Sequence, residues 1–211
     1  MRRQDKLYSE LCLLYPKAKT ALSFISPWQM LVATILSAQC TDKRVNEITS
    51  VLFSEYPDID DYLNMRKETL IKHIRSAGFY NNKAKNIMSA ARKINSDFSG
   101  KVPRSIKELV TIPGVARKTA NVVLSNAFGI SEGIAVDTHV KRLAFRLALT
   151  KEKDPVKIEL ELMRQFESET WSNLTHVLIE HGRSVCKAAI PACTKCSLAA
   201  ICEKKGVDKS K

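Results

Sequence analysis

The chain has 211 residues with a hydrophobic fraction of 45%, the composition of an ordinary globular protein with a buried core. Its 34 Lys and Arg residues against 22 Asp and Glu residues give a formal net charge of +12. This excess predicts a polyanionic partner, with nucleic acid favoured, although charge alone does not exclude an anionic membrane face.

Hydrophobic periodicity predicts helices along nearly the whole chain, and no segment alternates like a strand. Apolar residues at helical spacing mark a first helix: Leu7, Leu11 and Leu14. Ser26 is a predicted N-cap and Pro27 a first helical residue, and the apolar helix that follows is expected in the core. Further helices are predicted from Thr41 and around residues 70–74, 84–94, 103–110, 117–128, 140–147, 158–166 and 175–179.

Four of the six cysteines lie near the end of the sequence with the spacing C-x6-C-x2-C-x5-C: Cys186, Cys193, Cys196 and Cys202. Four thiolates at this spacing can surround one metal centre, and they suit zinc or an iron–sulfur cluster. The alternative is a pair of disulfides. The basic start lacks an apolar signal core, and the most apolar run, residues 31–36, is too short for a membrane span. We therefore expect a cytoplasmic protein, nucleoid-associated if bacterial, in which disulfides are rare. Cys12 and Cys40 are expected as buried side chains.

Residues 112–116 break the helical pattern with a Pro-Gly turn between two short helices. Backbone N–H groups at the start of the second helix can bind phosphate, and Gly114 would let it approach closely. An ordinary helix–helix turn is the alternative. Lys118 follows in the first helical turn, where a cation is mildly unfavourable. Its neutral amine would be a nucleophile, and a solvated side chain is the alternative.

Asp137 stands directly before a predicted helix, where aspartate is a favoured N-cap. A carboxylate there can also stabilise a developing positive charge. The two roles are compatible because a capping aspartate is held rigidly.

Four motifs occur in order: residues 36–39 (LSAQ), residues 112–120 (IPGVARKTA), residues 135–139 (AVDTH) and the cysteine tail. Together they resemble endonuclease III, a family of base-excision DNA glycosylases with AP lyase activity. The resemblance runs from about Trp28 to Cys202 and is specific because all four motifs are present.

The resemblance implies an all-α fold with two helical lobes and a DNA groove between them. Residues 20–131 would form a six-helix barrel with a helix-hairpin-helix motif. Residues 1–19 and 132–211 would form the lobe with the iron–sulfur loop. A weak boundary signal, the glycines within residues 129–135, agrees with this division.

The resemblance also assigns site residues. Lys118 would be the catalytic nucleophile and Asp137 the catalytic carboxylate, and Gln39 would probe the gap left by a flipped base. The four terminal cysteines would ligate a [4Fe–4S] cluster. The partner would be double-stranded DNA with oxidised pyrimidines, such as thymine glycol, or abasic sites, bound by a monomer. Further DNA contacts are expected from Gly114, Ala116, Arg117, Thr119, Asn81 and Lys187.

Two departures from the family pattern stand out. Ala116 occupies a position where the family usually has glycine. If the position needs a positive φ, alanine is strained there, and if it needs only room, the methyl group weakens one phosphate contact. The loop between Cys186 and Cys193 carries one cation, Lys187, so it is expected to bind DNA less strongly than in relatives with more.

Three other functions fit the sequence less well. Adenine glycosylases and alkylated-purine glycosylases of the superfamily usually lack a lysine at the position of Lys118. A non-catalytic DNA-binding module would not need both Lys118 and Asp137. The sequence does not rank thymine glycol against other oxidised pyrimidines, because pocket contacts come from several helices.

Overall fold

The computed structural model describes residues 1–211, and the chain folds into helices, turns and loops without a strand. The all-α prediction is therefore confirmed. Eleven α-helices follow one another: α1 Arg3–Leu14, α2 Pro27–Ser37, α3 Asp42–Glu55, α4 Ile59–Asn64, α5 Lys67–Ile74, α6 Tyr80–Phe98, α7 Ile106–Leu109, α8 Arg117–Val123, α9 Thr138–Arg146, α10 Pro155–Gln165 and α11 Trp171–Ser184. None of these helices is long and apolar enough to cross a membrane.

The helices divide between two compact units. Unit 1 contains Met1–Thr20 and Gly133–Lys211, and unit 2 contains Ala21–Glu132. Unit 1 therefore holds α1 and α9 to α11, and unit 2 holds α2 to α8. Each unit has a separate hydrophobic core, as expected when two groups of helices bury their apolar faces independently.

Helix α2 lies at the centre of unit 2. Every residue from Trp28 to Leu36 is buried, and α2 packs against α3, α6 and α8. A helix that is apolar on all sides loses hydrophobic free energy unless it is enclosed, so its neighbours wrap around it. The prediction of a core helix here is confirmed.

Unit 1 is organised by the packing of α9 on α11. Gly182 of α11 permits the close approach, since a Cβ there would lie 2.8 Å from His139 Nδ1 and 3.2 Å from its Cβ. Helix α1 joins the unit through the guanidinium of Arg3, which donates to the carbonyl oxygens of Leu147 and Ile201.

Several helix boundaries differ from the sequence-based expectation. Helix α4 was not predicted, because its acidic sequence buries only Tyr62. Helix α7 is shorter than the predicted residues 103–110, and α10 and α11 are longer than predicted. Residues Leu124–Phe128 continue α8 as a wider π-helical turn, which ends at Gly129 as expected.

The contribution of the α2 N-cap to stability can be tested by mutation. Ser26 Oγ accepts a hydrogen bond from the Gln29 N–H at 3.2 Å. We predict that Ser26→Ala lowers the free energy of unfolding by about 1 kcal/mol, measured by urea denaturation, because that N–H loses its partner. Ser23→Ala, an exposed serine three residues earlier, is the control and should have a much smaller effect. Equal effects of the two substitutions would contradict a capping role.

Candidate active site and cysteine cluster

The turn between α7 and α8 is anchored by two buried apolar side chains. Ile112 and Val115 are buried, and the Val115 N–H donates to the Ile112 carbonyl at 3.1 Å. Between them Gly114 is exposed and has a φ of +81°. A Cβ there would lie 2.8 Å from Asn86 Cβ, so both conformation and space require glycine.

Ala116 adopts an extended conformation, with φ −85° and ψ 167°, and is the N-cap residue of α8. Any L-residue adopts this conformation without strain. The strain considered from the sequence is therefore absent, and the chain tolerates alanine at this position. The remaining effect of the substitution is one exposed methyl group at the turn.

Lys118 is the second residue of α8, and its side chain is exposed. Arg117 and Thr119 beside it are half-buried, and Ala120 is fully buried against the core of unit 2. The exposed amine is thus carried by a short helix whose opposite face is fixed.

Two exposed side chains of unit 2 are presented by left-handed backbone. Gln39 follows the end of α2 with a φ of 53°, and Phe79 precedes α6 with a φ of 47°. Phe79 is 63% exposed, which is unusual for a large aromatic residue. Asn81 is exposed in the first turn of α6.

Lys83 is a buried residue of α6 that was not identified from the sequence. Its Nζ donates to the carbonyl oxygens of Leu36 at 2.8 Å and Ala77 at 2.9 Å. The helical spacing of the sequence could have indicated its burial, because Lys83 lies on the same face of α6 as the apolar residues Ile87 and Ala91.

Asp137 is the N-cap of α9 in unit 1, as the sequence suggested. Its Oδ1 accepts a hydrogen bond from the Val140 N–H at 2.8 Å. The side chain is half-buried, and the cap uses only one of the two carboxylate oxygens. The carboxylate is therefore held in a fixed orientation with one oxygen outside the cap.

The four C-terminal cysteines line one cavity in unit 1. Leu143, Arg146, His181 and Leu198 also contribute to its wall. All six cysteines of the chain are free thiols, and burial raises the pKa of Cys196 and of Cys202. Cys12 and Cys40 lie outside the cavity and are half-buried, less enclosed than expected from their apolar neighbours.

Two arginines of α9 hold the backbone of the cysteine loop. Arg142 donates to the carbonyl oxygens of Gly182 at 3.0 Å and Cys186 at 3.2 Å. Arg146 donates to the carbonyls of Lys187 and Ala188 and lies 3.4 Å from Cys186 Sγ. Neither arginine was identified from the sequence, although they stand one helical turn apart on α9.

Burial lowers the pKa of Arg142, and the nearby charges of Cys186 and Asp137 oppose this shift. Arg142 is thus electrostatically linked to both the cap carboxylate and the cysteine loop. Lys187, the single cation of the loop between Cys186 and Cys193, has an exposed side chain.

His181 lies beside the cavity and is 2% exposed. Burial lowers its pKa to about 4, so the imidazole is neutral near pH 7. Its Nδ1 lies 3.0 Å from the Tyr15 hydroxyl, and its Nε2 lies 3.5 Å from Cys196 Sγ. His181 is therefore a hydrogen-bonded core residue that also contacts Cys196.

Comparisons with known proteins agree with the motifs. Residues 32–168 match the family model of the HhH-GPD superfamily base excision DNA repair protein. The chain is 53% identical to endonuclease III of Synechocystis sp. over 95% of this chain and 92% of the relative. It is 46% identical to endonuclease III of Bacillus subtilis over 95% of this chain and 96% of the relative.

Solved structures give the same result. A non-covalent endonuclease III–DNA complex has a TM-score of 0.91 and 40% identity, covering 97% of this chain and 96% of that one. A trapped covalent endonuclease III–DNA intermediate has a TM-score of 0.90 and 40% identity, covering 97% of both chains. The chain therefore belongs to the endonuclease III family of the HhH-GPD superfamily and is a DNA glycosylase and AP lyase of base excision repair.

Proposed function

We propose that this chain removes oxidised pyrimidines, such as thymine glycol, from double-stranded DNA and cleaves the resulting abasic site through a Schiff base on Lys118. The similarity to a trapped covalent enzyme–DNA intermediate, at 40% identity over 97% of the chain, carries the proposal. It is supported by Lys118, an exposed amine directly after the α7–α8 turn. The net charge of +12 suits a DNA partner.

The proposed reaction begins with extrusion of the damaged nucleotide, because a stacked base blocks access to its sugar. The neutral amine of Lys118 then attacks C1′, and the C1′–N bond to the base breaks as the base departs with the bonding electrons. The sugar ring opens, and the amine becomes a Schiff base at C1′. Loss of a C2′ proton then expels the 3′ phosphate and cleaves the strand.

Asp137 is proposed to act through its charge. The transition state for base release has oxocarbenium character, and a fixed carboxylate stabilises that positive charge. The Oδ1 bond to the Val140 N–H supports this role, because it holds the carboxylate in one orientation. Asp137 is also proposed to accept a proton from Lys118.

The α7–α8 turn is proposed to bind the phosphate backbone without reading base sequence. Gly114, Ala116, Arg117 and Thr119 would make these contacts through backbone N–H groups and side chains. Lys187 would add one contact from the cysteine loop. Gln39 and Asn81, both exposed, would contact DNA near the vacated base position.

The four cysteines of the cavity are proposed to ligate a [4Fe–4S] cluster, which would stabilise the fold and contribute charge. All four cysteines line the same cavity, which supports their binding one metal centre, and four cysteine thiolates suit a [4Fe–4S] cluster. Donors near the sulfurs suit anionic thiolates. The Lys204 N–H lies 3.4 Å from Cys202 Sγ, and Arg146 Nη1 lies 3.4 Å from Cys186 Sγ.

Lys118→Gln tests the nucleophile. We predict that borohydride traps the wild-type chain on a duplex with an abasic site and that Lys118→Gln abolishes trapping, because the amide cannot form a Schiff base. Lys85→Gln, an exposed lysine of α6, is the control and should trap normally. A trapped adduct of normal yield on the Lys118→Gln chain would remove Lys118 from this role.

Asp137→Asn separates charge from capping, since asparagine is also a good N-cap. We predict that base release from a thymine glycol duplex slows by at least about a hundredfold, measured in single turnover, with little change in thermal stability. The matched control is Asp154→Asn, because Asp154 caps α10 in the same way, with Oδ1 3.0 Å from two backbone nitrogens. A near-normal rate for Asp137→Asn would leave Asp137 as a cap alone.

Cys196→Ser tests the metal centre. We predict that the purified wild-type chain contains about four iron atoms and has the brown iron–sulfur absorbance, and that Cys196→Ser loses most of both. Cys40→Ser, outside the cavity, should keep its iron. One zinc ion per chain with no iron would instead establish a zinc site.

A further inference from the structure

Lys83 is a buried cation bonded to two backbone carbonyls. It is 4% exposed, and Nζ donates to Leu36 O at 2.8 Å and to Ala77 O at 2.9 Å. Burial lowers its pKa. A buried charge without a carboxylate partner costs free energy that a neutral side chain would avoid, so its two bonds call for an explanation.

Both carbonyls belong to helix ends. Leu36 lies in the last turn of α2, and Ala77 is the last residue of a 3₁₀ helix, Arg75–Ala77. Carbonyl groups at such ends have no partner within the helix and carry partial negative charge. One ammonium therefore caps two helices that are distant in sequence, and it fixes their ends relative to each other.

The two capped ends lead directly into the two exposed residues held in left-handed backbone. Gln39 follows Leu36 by three residues, and Phe79 follows Ala77 by two. The chain has five non-glycine residues with positive φ, and these are two of them. Residues with a Cβ adopt this conformation only when the surrounding structure enforces it.

We propose that Lys83 is a positioning residue for lesion recognition, whose ammonium holds the Gln39 turn and the Phe79 turn together in the geometry that enters the DNA. The inference rests on the proposed function, in which Gln39 and Asn81, two residues after Phe79, contact DNA near the vacated base position. Loss of the ammonium would free both turns at once. Recognition of damage would then weaken, while contacts to undamaged backbone would remain.

The experiment compares Lys83→Met with the wild-type holoprotein on two duplexes of the same sequence. One is undamaged and the other carries tetrahydrofuran, a stable abasic analogue. We expect Lys83→Met to lower the preference for the tetrahydrofuran duplex by about tenfold, the size of a lost charged hydrogen bond, with nearly unchanged binding to the undamaged duplex. Lys85→Met, on the exposed side of α6, should behave as wild type.

A double-mutant cycle separates positioning from general stability. In a Gln39→Ala, Phe79→Ala background, we expect Lys83→Met to change the preference by less than about twofold, because the side chains that it positions are gone. Amide hydrogen exchange in residues 37–41 and 77–80 should accelerate together in Lys83→Met. If Lys83→Met does not fold, Lys83→Gln replaces it, since the amide keeps a neutral donor.

Three results would overturn the inference. The first is an equal loss of affinity for both duplexes in Lys83→Met. The second is an undiminished effect of Lys83→Met in the Gln39→Ala, Phe79→Ala background. The third is a Lys83→Met chain that keeps the full preference for the tetrahydrofuran duplex. Borohydride trapping of the wild-type chain on an abasic duplex is measured in parallel. Failure of that trapping would contradict the proposed function, whereas normal trapping with an unaltered preference would contradict only the role of Lys83.

Discussion

The packing of α9 on α11 is the contact on which the proposed site residues of unit 1 depend. It is close because residue 182 is glycine, and it is locked by Arg142, which bonds to the carbonyls of Gly182 and Cys186. Asp137 caps the start of α9, so one helix holds the carboxylate at one end and supports the cysteine loop along its length. Disturbance of the loop would therefore reach the carboxylate through α9.

Buried cations bonded to backbone carbonyls recur in both units. Arg146 binds two carbonyls of the cysteine loop, and Lys83 binds the ends of two helices. Helix ends and irregular loops leave carbonyl groups without partners, and a long cationic side chain can satisfy two of them from a distance. In unit 1 the backbone held by Arg146 belongs to the loop of the proposed cysteine ligands. In unit 2 the backbone held by Lys83 leads to Gln39. Buried cationic side chains thus hold backbone segments at helix ends and in irregular loops.

Local signals predicted the parts of the structure that depend on neighbouring residues. The caps at Ser26 and Asp137, the core helix α2 and the glycine requirement at Gly114 all follow from short stretches of sequence. The roles of Lys83 and Arg146 do not, because their partners lie far away in the chain. Prediction is limited in a different way at Ala116. Whether alanine is strained there depends on its backbone φ, and the residue type alone does not determine φ. The four motifs in order indicated the family correctly.

The central claim is that the amine of Lys118 bonds to deoxyribose during catalysis. The most direct test treats the wild-type chain and an abasic duplex with borohydride, digests protein and DNA, and locates the modified residue by mass spectrometry. We predict a deoxyribose remnant on the peptide that contains Lys118. A remnant on another lysine or on the amino terminus, with Lys118 unmodified, would contradict it.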